Sequence, residues 1–90
     1  MNPQTKTFDI RTKAGTRQPH PFEEEFFLFG EWWVVHRRLY GIGYALSHKA
    51  TGFRVPDSER GRAVESKYRG SLWLTEHEAQ LPALLVKASR

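Results

Sequence analysis

Residues 26–35, Phe-Phe-Leu-Phe-Gly-Glu-Trp-Trp-Val-Val, decide the fold of this 90-residue chain. Two apolar runs rich in aromatic and β-branched residues flank a Gly-X pair, which is the pattern of a β-hairpin. Gly30 is expected to supply the positive φ of a type II′ turn. A helix is disfavoured, because these side chains prefer strands and Gly30 interrupts them.

Both faces of this hairpin are apolar, because neighbouring strand residues point to opposite sides. Trp32 and Trp33 therefore face opposite ways, as do successive residues of the Phe-Phe-Leu-Phe run. A C-terminal helix can cover one face, and the other is left to residues 57–69, to a second copy of the chain or to a different partner. Aromatic side chains left in water would form a patch of the size that marks an interface.

The rest of the chain predicts an α+β fold. Alternating or β-prone segments predict short strands over residues 5–12, 44–48 and 53–55. Residues 1–4 are expected to be frayed, and residues 13–22 are expected to form a polar loop. We expect residues 1–90 to form a single domain with one antiparallel sheet of about four strands and a C-terminal helix packed on one face.

The final helix has both a start motif and an apolar face. Thr75 and Glu78 have the spacing of a capping box, which predicts a helix beginning there. The expected apolar face consists of Leu81, Leu84, Leu85 and Ala88. Pro82 lies inside this pattern and is expected to kink or restart the helix. For residues 57–69 the sequence leaves a helix and a loop open.

The composition is that of a soluble domain, with 39% hydrophobic and 27% charged residues and no cysteine. The lack of cysteine excludes a disulfide framework, a thiolate metal site and a cysteine nucleophile. No apolar run has the length of a membrane span, and we expect no membrane partner and a cytoplasmic protein. The net charge is +4, and the basic segments flank an acidic block, residues 23–31.

Residues with catalytic or metal-binding spacing are not found in the sequence. The four histidines do not have ligand spacing. Ser47 and His48 are strand neighbours that point to opposite faces, which excludes a direct nucleophile–base pair between them. The consecutive carboxylates Glu23, Glu24 and Glu25 are typical of a solvated acidic patch. The sequence therefore predicts a protein that is not an enzyme and has no metal or other cofactor.

Aromatic and arginine side chains, the types that dominate binding hot spots, accumulate around the second strand of the hairpin. The predicted partner-binding residues are Trp32, Arg37, Arg38 and Tyr40, with Glu23, Glu24 and Glu25 as an acidic edge. They predict a module that docks on a protein or nucleoprotein complex and blocks it sterically, and exchange of both arginines for Glu is expected to abolish binding. The alternatives are a nucleic-acid-binding protein that uses its basic patches and a homodimeric structural or assembly protein.

Three motifs between residues 32 and 88 resemble small accessory proteins of bacteriophages and mobile elements. They are the strand Trp33-Val34-Val35-His36, the turn Ser47-His-Lys-Ala-Thr-Gly52 and the helix start Thr75-x-x-Glu78. In that group, a W-x-V-x-H strand leads to an S/T-H-x-x-T-G turn and a final helix. The resemblance implies stoichiometric binding to host machinery, as in inhibitors of bacterial defence complexes, and it assigns no functional residue.

Overall fold

A computed structural model describes residues 6–55 and 66–89, which form two antiparallel sheets and a helical C-terminal part. The elements are β1 (Thr7–Arg11), β2 (Arg17–Pro21), β3 (Glu24–Leu28), β4 (Glu31–Arg37), β5 (Tyr44–His48), α1 (Lys67–Glu76), a 3₁₀ turn (Glu78–Gln80) and α2 (Leu81–Ala88). β1 and β2 form one sheet, and β3, β4 and β5 form the other in that order. The α+β class is as expected, but the single sheet of about four strands is wrong.

The predicted strand over residues 44–48 is confirmed as β5, whereas residues 53–55 contribute only a bridge between Ser47 and Arg54. Residues 1–4, predicted to be frayed, lie outside the described residues. The same holds for most of residues 57–69, of which the last three belong to α1. Neither helix of the described chain has the length and apolar character that a membrane span requires.

β3 and β4 form the predicted hairpin, with Phe27 opposite Trp32 and Leu28 opposite Glu31. The two turn residues are Phe29 and Gly30, which have φ angles of 54° and 77°. Two positive φ angles are characteristic of a type I′ turn, whose twist matches that of the flanking strands. The predicted type II′ turn is therefore wrong in both type and position: the turn is type I′, and its first central residue is Phe29 instead of Gly30.

The β1–β2 hairpin covers the second face of the β3–β4 hairpin. Phe8 and Ile10 of β1 pack on Val34 of β4 in a buried cluster. The predicted loop over residues 13–22 is wrong, because it contains β2, which pairs with β1 and places Pro19 opposite Asp9. Proline is tolerated there because, among the described strands, β2 pairs with β1 alone, and the missing N–H points away from that ladder.

The helical part covers the first face. Trp33 and Val35 of β4 and Leu46 of β5 form a buried cluster with Leu74 of α1 and Leu81 of α2. Burying each large apolar side chain stabilises the fold by roughly 1.5–3 kcal/mol. The three-stranded sheet is thus the middle layer, between the β1–β2 hairpin and the helices.

The helix predicted from Thr75 onward begins later than the capping motif indicates. Thr75 lies inside α1, where its hydroxyl donates to the Ser71 carbonyl at 2.8 Å, so the predicted capping box is wrong. Pro82 lies in the first turn of α2, where a helix needs no N–H donor, so the expected restart of the helix at this proline is confirmed, and the alternative of a kink within one longer helix is wrong. The predicted apolar face is confirmed by the buried Leu81 and Ala88 and the half-buried Leu84 and Leu85.

Candidate binding surfaces

His36 and Ser47 meet in the core, a contact that the sequence analysis missed. The Nδ1–H of His36 donates to the Arg37 carbonyl at 2.7 Å, and His36 Nε2 shares a hydrogen bond of 2.7 Å with the Ser47 hydroxyl. Both side chains are fully buried, so the pair joins β4 to β5 without access to solvent. The strand register places Ser47 opposite Val34, and His36, two positions further along β4 on the same face, reaches Ser47 diagonally.

His48 is also buried and is held at both ring nitrogens. Its Nε2–H donates to Glu31 Oε1 at 2.5 Å, and its Nδ1 shares a hydrogen bond of 2.8 Å with the Thr51 hydroxyl. His20 Nε2–H donates to the Arg37 carbonyl at 2.8 Å and so ties β2 to β4. Within residues 6–55 and 66–89, no group of three or more His, Asp or Glu side chains is arranged as a metal site.

The three consecutive glutamates of the predicted acidic edge each contact a partner within the chain. The contacts are Glu25 to Lys49 Nζ at 2.6 Å, Glu23 to Arg37 Nε at 3.7 Å, and Glu24 to the Lys67 backbone N–H at 3.1 Å. The contact of Glu23 is long and exposed and contributes little energy. The other two carboxylates connect β3 to the turn after β5 and to the start of α1.

The predicted partner-binding residues are divided between the two ends of β4. Trp32 and Arg37 are five positions apart, or roughly 17 Å at about 3.4 Å per residue, and they point to opposite faces. The Arg37 guanidinium lies 5.2 Å from the centre of the Tyr44 ring. Arg38 and Tyr40 follow in the loop beyond β4. Trp32 therefore lies apart from the three others, and the expectation that all four residues form one surface is wrong.

Trp32 and Phe27 form an exposed pair, which we call the aromatic patch. Their rings meet edge to face with centroids 5.4 Å apart, and 48% of Trp32 and 59% of Phe27 is exposed. Trp32 shares its face of β4 with Val34, which β1 covers, so the patch is the uncovered end of that face. An open depression of about 510 Å³ adjoins it, lined by Phe8, Asp9, Arg17, Trp32, Lys49 and Ala50.

Tyr40 contacts two cations that the sequence analysis did not single out. Lys13 Nζ lies 4.5 Å from the centre of the Tyr40 ring, and the Arg54 guanidinium carbon lies 5.5 Å from it. The backbone N–H of Lys13 donates to the Tyr40 hydroxyl at 3.2 Å. Arg38 donates to the Ile42 carbonyl at 3.2 Å within the same loop. Tyr40 thus lies on a basic surface, away from the aromatic patch.

Comparisons with protein-family models, curated proteins and solved structures find no match to this chain. The resemblance to bacteriophage accessory proteins therefore stays a prediction.

Proposed function

We propose that this protein is a non-enzymatic binding module that docks on a partner protein through the aromatic patch and blocks the partner sterically. The observation that carries the proposal is the exposure of Phe27 and Trp32 on a sheet face that is otherwise covered. Large aromatic side chains at the centre of an interface supply most of its binding energy. The narrower proposal, an inhibitor of a host protein or nucleoprotein complex, rests on the resemblance to phage accessory proteins.

The aromatic patch is large enough to anchor an interface. An aromatic side chain offers about 150–250 Å² for burial, and about half of each ring is exposed here, so the pair presents roughly 200 Å². At about 25 cal/mol per Å², complete burial contributes roughly 5 kcal/mol before the entropic cost of association. The complementary surface is an apolar protein pocket, because Phe27 and Trp32 offer ring faces and edges.

The position of the contact can be tested with a photo-crosslinking amino acid, benzoyl-phenylalanine, in place of Phe27. Tyr68 of α1 is the matched control, because it is an aromatic residue that is 74% exposed. After irradiation in nuclease-treated host lysate, we expect a protein to crosslink to position 27 and not to position 68. With that protein purified, Trp32→Ser is expected to raise Kd about 30-fold, or about 2 kcal/mol.

Three outcomes would contradict the proposal. Equal crosslinking from both positions would show that exposure alone captures proteins, and a missing crosslink from position 27 would leave the patch without a partner. Crosslinks only to a second copy, with a doubled molar mass that Trp32→Ser reverts, would replace the proposal with the homodimeric structural protein. Each outcome is interpretable once circular dichroism shows that the variants retain the wild-type fold.

A further inference from the structure

Four cations gather along the loop of residues 49–54, which follows β5. We call them the basic arc: Arg11, Lys13, Arg17 and Arg54. Arg17 donates to the Asp9 carbonyl at 3.0 Å and to the Ala50 carbonyl at 3.2 Å. Arg11 donates to the Ala88 carbonyl at 2.8 Å at the end of α2. These contacts hold both guanidinium groups in place while using only part of their five N–H donors.

Aromatic rings hold the rest of the basic arc. The Arg11 guanidinium carbon lies 5.7 Å from the centre of the Phe53 ring, and Lys13 and Arg54 share the Tyr40 ring. Such contacts fix the direction of a cation without neutralising its charge. Arg11, Lys13 and Arg17 therefore present positive charge in defined positions.

Three of the four cations have no carboxylate partner in the described chain. Among residues 6–55 and 66–89, the ion pairs involve other side chains, so Arg11, Lys13 and Arg17 bond only to carbonyl groups or rings. Asp9 is the acidic residue of β1, two positions before Arg11 and on the same outward face. Its carboxylate offsets only part of the charge, and the surface stays positive enough to attract a polyanion.

We infer that the basic arc binds the phosphodiester backbone of a nucleic acid. A row of phosphates matches a row of fixed cations, and the guanidinium fork fits phosphate oxygens in a two-bond geometry. Contacts of this kind are independent of base sequence. Arg17 also lines the depression beside Trp32, so a nucleoprotein partner can contact both surfaces. The inference does not depend on the aromatic patch.

Fluorescence anisotropy with a labelled single-stranded oligonucleotide, read between about 0.05 and 0.2 M salt, tests the inference. Three phosphate contacts, one each for Arg11, Lys13 and Arg17, predict a slope of log K against log salt of roughly −2. Lys13→Gln is expected to weaken binding about fivefold at about 0.1 M salt and to flatten the slope by about 0.7. Asp9→Asn is expected to strengthen binding, because it removes a negative charge beside the arc.

Lys67→Gln on α1 is the matched control, because it removes the same charge from an exposed position outside the arc. It is expected to leave the slope unchanged. Equal effects of Lys13→Gln and Lys67→Gln, or no binding at low salt, would overturn the inference. The arc would be assigned to a lipid surface instead if the protein bound vesicles of phosphatidylglycerol more tightly than the oligonucleotide and Lys13→Gln weakened vesicle binding about fivefold.

Discussion

A single methyl group at Gly52 is expected to separate the β1–β2 hairpin from the three-stranded sheet. Gly52 has a φ of +73°, and a Cβ there would overlap the Asp9 carbonyl oxygen and lie 2.9 Å from the Arg11 amide nitrogen. The Gly52 carbonyl also accepts the Arg11 N–H at 3.0 Å. Both atoms that the methyl group meets belong to the β1 backbone, so no side-chain rotation relieves the clash.

Gly30 supplies a matched control for the size of this effect. Its φ is +77°, and a Cβ there would meet nothing within 4 Å. Gly30→Ala should therefore cost only the left-handed backbone strain, about 1 kcal/mol. Gly52→Ala adds a steric term of about 1–3 kcal/mol and a disturbed hydrogen bond of about 1 kcal/mol. We expect a total near 4 kcal/mol, a large part of the roughly 5–15 kcal/mol that stabilises a domain.

Urea unfolding of the wild type and both variants, followed by tryptophan fluorescence, measures these free energies. Trp33 is a suitable reporter because it is buried in the wild-type core. Amide hydrogen exchange at Arg11 supplies a local readout, because its N–H donates to the Gly52 carbonyl and detachment of β1 would break that bond before global unfolding. Equal losses of stability in Gly52→Ala and Gly30→Ala, within about 0.5 kcal/mol, would refute the close approach of β1 to the turn after β5.

Three further predictions follow from particular contacts. Glu31→Ala should destabilise the fold by about 1–3 kcal/mol in urea unfolding, because it leaves the buried His48 N–H without its acceptor, and Glu31→Gln should restore most of that loss. Pro82→Ala should change the free energy of unfolding by less than about 1 kcal/mol, because Pro82 lies in the first turn of α2. Replacing a proline in a helix interior by Ala would instead raise that free energy by about 3 kcal/mol. Arg37→Glu combined with Arg38→Glu should leave the position-27 crosslink intact, because both arginines lie at the far end of β4 from the aromatic patch. Loss of the crosslink in a folded double variant would show that the two arginines belong to the docking surface.

The candidate surfaces could be predicted from the sequence only in part. Trp32, a predicted partner-binding residue, is half-exposed, but its assignment to one surface with Arg37 ignored the length and alternation of the strand between them. The basic arc has no local signature, because Arg11 and Arg17 reach the 49–54 loop only after β1 and β2 pack across the sheet. Such contacts depend on residues that are distant in sequence.

The sequence by itself determined those helices and strands that a local pattern of apolar residues specifies. Residues 26–35 encode a hairpin through their β-prone side chains and central glycine, and the spacing of Leu81, Leu84, Leu85 and Ala88 encodes one face of α2. The tertiary structure decided what covers the second face of the hairpin, the pairing of the proline-containing β2 and the position of Thr75 inside α1. The physical reason is that these outcomes depend on long-range packing and on which backbone groups find partners, and neither quantity is contained in a local pattern.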